Sequence, residues 1–155
     1  MMNSLRPFST VSESVPELGP EVPVAPNILI VDDHEIVRGG LRSLIADTRP
    51  DWKIVGEANT GTEALDAVES LEPDVVILDI TLPGMNGLTV GAKIRELGLP
   101  SRVLFFTMHD YMNLPNDVRG AGGRGYVLKT EAGRNLIHAI EVIHAGGTFF
   151  GTSAE

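Results

Sequence analysis

The chain has no cysteine among its 155 residues. Disulfides, thiolate zinc sites and cysteine nucleophiles are therefore excluded. It is also poor in basic residues, with 12 Lys and Arg against 21 Asp and Glu and a formal net charge of −9. Gripping a nucleic-acid backbone takes clustered Lys and Arg, so direct DNA or RNA binding by this chain is not expected. No apolar run approaches the ~18 residues of a membrane span. The N-terminus lacks a basic region followed by an apolar one, so no secretory signal is read there. A cytoplasmic protein is the simplest account. What the chain does have is 43% hydrophobic and 21% charged residues, the balance of one globular domain with a real core. The surplus of acid reads either as a solubilising surface or as a site rich in carboxylates.

Residues 1–26 differ from the rest. Five of the ten prolines lie there (Pro7, Pro16, Pro20, Pro23 and Pro26), among Ser, Glu and small residues without periodicity. This predicts a disordered Pro-rich tail. From Asn27 two periods alternate. "NILIV" (27–31) is a short apolar run rich in β-branched residues, and Ile36, Val37, Leu41, Leu44 and Ile45 then recur at helical spacing. "WKIVGEA" (52–58) reads as strand. "TGTEALDAVESL" (60–71) opens on a capping-box pattern, Thr60 then Glu63. "DVVILD" (74–79), "RVLFFT" (102–107) and "GYVLK" (125–129) read as strands, with helices over 88–97 and 131–145. Residues 113–123 are ambiguous, because Pro115 and several glycines interrupt them. Pro115 suits a first helical turn, and the glycines predict a short or frayed fourth helix.

The order is β-α repeated five times. Continuous apolar strands imply a sheet buried on both faces, hence an α/β, doubly wound, five-stranded parallel sheet. Right-handed crossovers put every strand's C-terminal end at one edge, where such folds bind ligands. At that edge the sequence places Asp32 and Asp33 after the first strand, Asp79 after the third, Thr107 after the fourth and Lys129 after the fifth. Taken singly, an Asp there is usually a turn former or helix cap, and a Lys is usually solvated. Together they are harder to explain as accident. Three acids in one crevice need a cation to offset their repulsion, and an all-oxygen set suits Mg²⁺, or Mn²⁺, better than zinc. A carboxylate beside such an ion can attack phosphorus. Asp79 is the best nucleophile candidate, since the third strand is normally central. Lys129 and the Thr107 hydroxyl can neutralise peripheral phosphoryl oxygens. The turn in "DITLPGMNG" (79–87) can bring the backbone carbonyl of Thr81 onto the metal.

These stretches resemble the response-regulator receiver domain, the phospho-accepting module of two-component signalling. The resemblance covers about residues 27–150 and rests on "DDH", "LDITLPGMNG", Thr107 after "VLFF", and "GYVLK". It implies a flavodoxin/CheY-like fold with strand order 2-1-3-4-5. It also implies that Asp32 and Asp33 hold Mg²⁺, Asp79 takes the phosphoryl group from a sensor histidine kinase, Thr107 senses it and Lys129 binds it. Tyr126 occupies the aromatic position that reorients on activation in such domains; a plain packing role for it stays open. "VDDHEIVRGGLRSLI", "GRGYVLK" and "AIEVIHAGGTFF" are similar to the NarL/FixJ (LuxR-type) subfamily, in which a helix-turn-helix DNA-binding domain follows. The chain stops at Glu155, about where the linker (151–155 onward) would start, so a stand-alone receiver and a fragment of a longer regulator both stay open. DNA binding is implied for a longer parent alone.

The resemblance makes the chain a signalling module, with self-phosphorylation and self-dephosphorylation as its only expected chemistry. A phosphohydrolase of the haloacid dehalogenase type would carry Asp-x-Asp after the first strand and a cap insertion, and neither is present. A pseudo-receiver acting by contacts alone conflicts with the intact set of five residues. Two departures stand out. The usual output face of fourth helix, fifth strand and fifth helix carries the glycine-rich segment, whose order either depends on phosphorylation or reflects drift. Thr130 stands where many receivers have Pro, and could cap the fifth helix. A homodimer through the output face or the first and fifth helices is left open.

Overall fold

In a computed structural model, residues 24–150 are described. Eleven helices and strands alternate along them: β1 (Asn27–Val31), α1 (Glu35–Thr48), β2 (Lys53–Ala58), α2 (Gly61–Leu71), β3 (Val75–Asp79), α3 (Gly87–Glu96), β4 (Arg102–Thr107), α4 (Leu114–Gly120), β5 (Gly125–Leu128), α5 (Ala132–His144) and β6 (Phe149–Phe150). All strands pair in parallel, in the order β2-β1-β3-β4-β5-β6. The expected five strands and their order are present. A sixth, two-residue strand is added beyond β5.

Alternation along each strand explains why both faces are apolar. Leu29, Val31, Val76, Leu78, Val103 and Phe105 point to one side, where α2, α3 and α4 cover them. Ile28, Ile30, Val75, Ile77, Leu104 and Phe106 point to the other, under α1 and α5. Each successive side chain crosses the sheet, so an unbroken apolar run builds two cores at once. Phe105 is fully buried, and truncating it to Ala would cost about 3–5 kcal/mol.

Local signals set the helix ends. Thr60 caps α2, its hydroxyl accepting from Glu63 N at 3.1 Å. The reciprocal arm of this capping box is shifted, because Glu63 accepts from Asn59 N at 2.8 Å. Asn86 caps α3 by accepting from Leu88 N. The α4 helix is short at seven residues and has Pro115 in its first turn, as the sequence predicts. Two caps that the sequence leaves open are not used. Residue His34, not Asp33, is the cap of α1. Thr130 lies inside a 3-10 turn, Lys129–Glu131, and Glu131 precedes α5 without a side-chain cap bond.

Of the expected tail (1–26), residues 1–23 lie outside the described residues, as do 151–155 of the linker. Residues 24–26 are docked: Pro26 is buried, its carbonyl accepts from Lys53 N at 3.3 Å, and the Val24 carbonyl lies 2.7 Å from His144 Nε2. No helix among the described residues is long and apolar enough to cross a membrane.

Candidate functional site

The first strand delivers Asp32 to the C-terminal edge already in register, with its N–H donating to the Ala58 carbonyl at 3.1 Å. Its carboxylate is 1% exposed and is shared between two sides. Oδ1 accepts from the His34 backbone N–H at 2.9 Å and lies 3.2 Å from His34 Nδ1. Oδ2 accepts from Lys129 Nζ at 2.7 Å. The same ammonium donates to Asp79 Oδ2 at 3.2 Å, and Asp79, the last residue of β3, is 4% exposed. Lys129 thus bridges two buried carboxylates that the sequence separates by 47 residues. Asp79 Oδ1 accepts from Thr81 N at 3.2 Å, which folds the loop after β3 back over the acid.

Charge at this edge follows from burial. Asp79 is held above the usual carboxylate range, chiefly because burial disfavours its ionised form, with Lys129 opposing and Asp32 adding to the rise. Burial by itself would lower the Lys129 ammonium; hydrogen bonding and attraction to Asp32 and Asp79 outweigh that and raise it above its ordinary value. The lysine is therefore charged at neutral pH and serves as the cation the acids need.

Asp33 is exposed, and its carboxylate lies 3.2 Å from His34 Nδ1. Among the described residues, Asp32, Asp33 and His34 form the group that offers ligand atoms within 4.8 Å of one another. Two hard carboxylates with room for water are a donor set that fits Mg²⁺. Asp79 stands outside this group and is held to Asp32 through Lys129. Thr107, buried at the end of β4, accepts from His109 N at 3.3 Å. Its strand neighbour is Leu128, one residue before the lysine, and no hydrogen bond joins it to Asp79 or Lys129. Tyr126 is buried on β5 with its ring edge-on to Phe150 at 6.0 Å.

Sequence reasoning missed two groups. His34 contacts both acids; "DDHE" held that signal. Arg38 is buried, and its Nη1 donates to the backbone carbonyl of Asp32 at 2.6 Å and to Asn59 Oδ1. Its remaining nitrogens meet Glu35 and Glu57, and Glu57 also takes Arg42 Nη1 at 2.6 Å. Glu57 at the end of β2 is thus no part of the acid cluster, yet it orients the arginine that fixes Asp32. Gly87 supports Asp79 in a similar way. A Cβ there would stand 2.0 Å from the Asp79 carbonyl oxygen, so only glycine lets α3 start against the end of β3.

A twisted parallel sheet covered on both faces, with buried acids and one lysine at its C-terminal edge, is a CheY-like α/β module. The profile of the response regulator receiver domain matches residues 28–141. The nitrate/nitrite response regulator NarL of Escherichia coli K12 is 37% identical over 119 residues, 77% of this chain and 55% of that protein. The response regulator UvrY of the same organism is 36% identical over 120 residues, with the same two coverages. Among solved structures, a LuxR-family two-component response regulator from Aurantimonas sp. superposes with a TM-score of 0.75 at 40% identity, covering 80% of this chain and 88% of that one. The receiver domain of a NarL-type regulator from Mycobacterium tuberculosis gives 0.75 at 31% identity, covering 80% and 99%. The chain belongs to the response-regulator receiver family, in its LuxR-type (NarL) branch. It spans about half the length of the curated relatives it matches.

Proposed function

We propose that residues 27–150 are a receiver domain that accepts a phosphoryl group on Asp79 from a sensor histidine kinase in the cytoplasm. The observation that carries this reading is the Lys129 ammonium lying between the buried carboxylates of Asp32 and Asp79. An Asp79 oxygen forms the new bond to phosphorus while the P–N bond to the donor histidine breaks, and the electron pair stays on the imidazole nitrogen. Burial makes Asp79 a poorly solvated, reactive carboxylate, and Lys129 keeps it ionised enough to attack. Once the phosphoryl group is attached, Lys129 turns from Asp32 to a phosphoryl oxygen, and Thr107 takes another.

Asp32 and Asp33, with Asp79 and the Thr81 carbonyl, are the residues that would hold Mg²⁺, Mn²⁺ being the alternative. The ion, when bound, supplies charge neutralisation to the transferring group. Leaving Asp32 and moving Lys129 are coupled, which gives the domain two states. Tyr126 and the α4–β5–α5 face are the proposed readout, and in a longer parent this face would control a helix-turn-helix DNA-binding domain.

The test is intact mass after incubation with Mg²⁺ and acetyl phosphate, alongside beryllofluoride titration by NMR. Wild type should gain one phosphoryl group and shift at Thr107 and Tyr126, and Asp79→Ala should do neither. An unmodified wild type that nevertheless binds Mg²⁺ would sink the acceptor reading. Steady turnover of phosphate esters would instead favour a hydrolase.

A further inference from the structure

The proposed phosphoryl chemistry gives His34 no task, although its ring touches both acids that follow β1. Nδ1 lies 3.2 Å from Asp32 Oδ1 and 3.2 Å from Asp33 Oδ1. Three consecutive residues build this contact. β1 ends at Val31, and the His34 backbone N–H returns to donate to Asp32 Oδ1 at 2.9 Å, a turn in which an acid binds the main chain two residues on. His34 stands in extended backbone, φ −105° and ψ 115°, as the residue that opens α1. Its carbonyl accepts from Arg38 N at 3.1 Å, and the buried Arg38 guanidinium also grips the Asp32 carbonyl. The imidazole is therefore carried on anchored backbone. Its side chain is 66% exposed, which leaves room for water around it.

A hydrogen bond alone accounts poorly for the two distances. Nδ1 carries one hydrogen at most, and both carboxylate oxygens stand at 3.2 Å, longer than the ~2.7–2.9 Å of a charge-assisted bond. Coordination of one ion accounts for both. Neighbouring ligand atoms on an octahedral ion with bonds of ~2.1 Å stand about 3 Å apart, close to the spacing from Nδ1 to each oxygen. All three ligand atoms lie within 4.8 Å of one another. Asp32 Oδ1 gives one lone pair to the His34 N–H and keeps a second, while Oδ2 is committed to Lys129.

We propose that His34 Nδ1 is a third ligand beside Asp32 and Asp33, and that through it the site takes a first-row transition-metal ion in preference to Mg²⁺. The inference rests on the reading of Asp32 and Asp33 as metal-holding acids. Mg²⁺ is a hard ion that keeps oxygen ligands and gains little from nitrogen. Imidazole suits the later first-row ions, and affinity at a mixed nitrogen and oxygen site rises from Mn²⁺ to Ni²⁺. With Nδ1 on the ion, the ring proton sits on Nε2.

The test uses the untagged full chain at constant pH, titrated by calorimetry with Mg²⁺, Mn²⁺ and Ni²⁺. Pulsed electron paramagnetic resonance of the Mn²⁺ complex detects a directly bound nitrogen. Wild type should bind Ni²⁺ and Mn²⁺ more tightly than Mg²⁺ and show a nitrogen hyperfine coupling. His34→Asn, with a native-like spectrum, should weaken Ni²⁺ about tenfold or more, leave Mg²⁺ within about twofold and abolish the coupling. His109→Asn, in the loop after β4, should change none of these. The proposal is overturned by no coupling in wild type, by a coupling that survives in His34→Asn or is lost in His109→Asn, by equal loss of Mg²⁺ and Ni²⁺ in His34→Asn, or by no preference over Mg²⁺ in wild type. Labelling by acetyl phosphate is read separately. Labelling in Mg²⁺ without the nitrogen coupling sinks the His34 assignment alone, and the coupling without labelling sinks the acceptor reading alone.

Discussion

Replacing Lys129 with Met keeps the length of the side chain and removes its charge. The structure sets both bounds on the cost. Nζ lies 2.7 Å from Asp32 and 3.2 Å from Asp79, with the three side chains 10%, 1% and 5% exposed. Breaking one partner out of a buried ionic cluster costs about 3–5 kcal/mol, because an uncompensated charge is left behind. A carboxylate has an escape, which is to take up a proton. From its ordinary value of 3.8, protonation costs about 4.4 kcal/mol at pH 7 and about 1.6 kcal/mol at pH 5, at 1.36 kcal/mol per unit. The penalty at pH 7 should therefore fall at about 3–4.4 kcal/mol, and at pH 5 it should not exceed about 1.6 kcal/mol.

The sign follows from linkage. In the variant the folded-state carboxyl is raised further above its unfolded value, so the unfolded chain binds fewer protons between the two. Stability is then highest at low pH and is lost as pH rises towards neutrality. Lys129 itself is raised above its ordinary 10.5, so what it contributes is fully present below 10.5 and constant from pH 5 to 7. Urea unfolding of both proteins in EDTA at pH 5 and pH 7 measures the difference. Adding Asp79→Asn to Lys129→Met should abolish most of the pH dependence. Equal penalties at both pH values, or less than about 1 kcal/mol at pH 7, would refute the picture of a lysine neutralising two buried acids.

Three further outcomes are expected. Gly87→Ala forces a Cβ against the Asp79 carbonyl, backbone that cannot give, so it should cost about 1–3 kcal/mol or more in thermal unfolding and weaken beryllofluoride binding. Asp33→Asn should lose Mg²⁺ affinity by calorimetry with little change in stability, whereas Asp32→Asn should lose both, because Asp32 also holds Lys129 and the His34 N–H; equal stability of the two variants would count against this division. Phe150→Ala should speed amide exchange across β5 and β6, because Phe150 is packed on Tyr126 and lies under the Arg119 guanidinium at 3.9 Å; unchanged protection there would show that β6 is held by its backbone alone.

β1, β3 and β4 were legible because each carries an unbroken apolar run, and only a sheet covered on both faces can bury one. "DVVILD" and "RVLFFT" leave no polar face to turn outwards, so parallel pairing and the C-terminal edge followed. Placing Asp32, Asp79 and Lys129 together needed nothing more than that edge. Beyond α5 the same reasoning failed. Gly146 and Gly147 end the helix, and Phe149-Phe150 is too short to show any period, yet it pairs with β5 through Gly125, where a Cβ would stand 2.0 Å from the Phe149 carbonyl oxygen. A two-residue strand is specified by its partner, not by its own pattern. The docked end of the tail was hidden similarly: Pro26 looks like the last of a proline series, yet it is buried and its carbonyl accepts from Lys53 N at the start of β2.

Two of the residues that position the acids share a physical trait. Arg38 grips the carbonyl of Asp32, and Gly87 makes room for the carbonyl of Asp79. Each acts on the backbone of an acid instead of its carboxylate. Arg38 sits among helical residues where a charge normally faces water, and its burial depends on Glu57 and Asn59, about twenty residues away. Chemistry at the site can be read from side chains at strand ends, because side chains carry the charge. The positioning of that chemistry rests on backbone carbonyls, which every residue has and no sequence pattern marks. For a switch this division has a consequence: Asp32 and Asp79 are fixed by their main chains, while the link between their carboxylates runs through Lys129. Moving one ammonium can therefore redistribute the charge at this edge without unravelling the strands that present it.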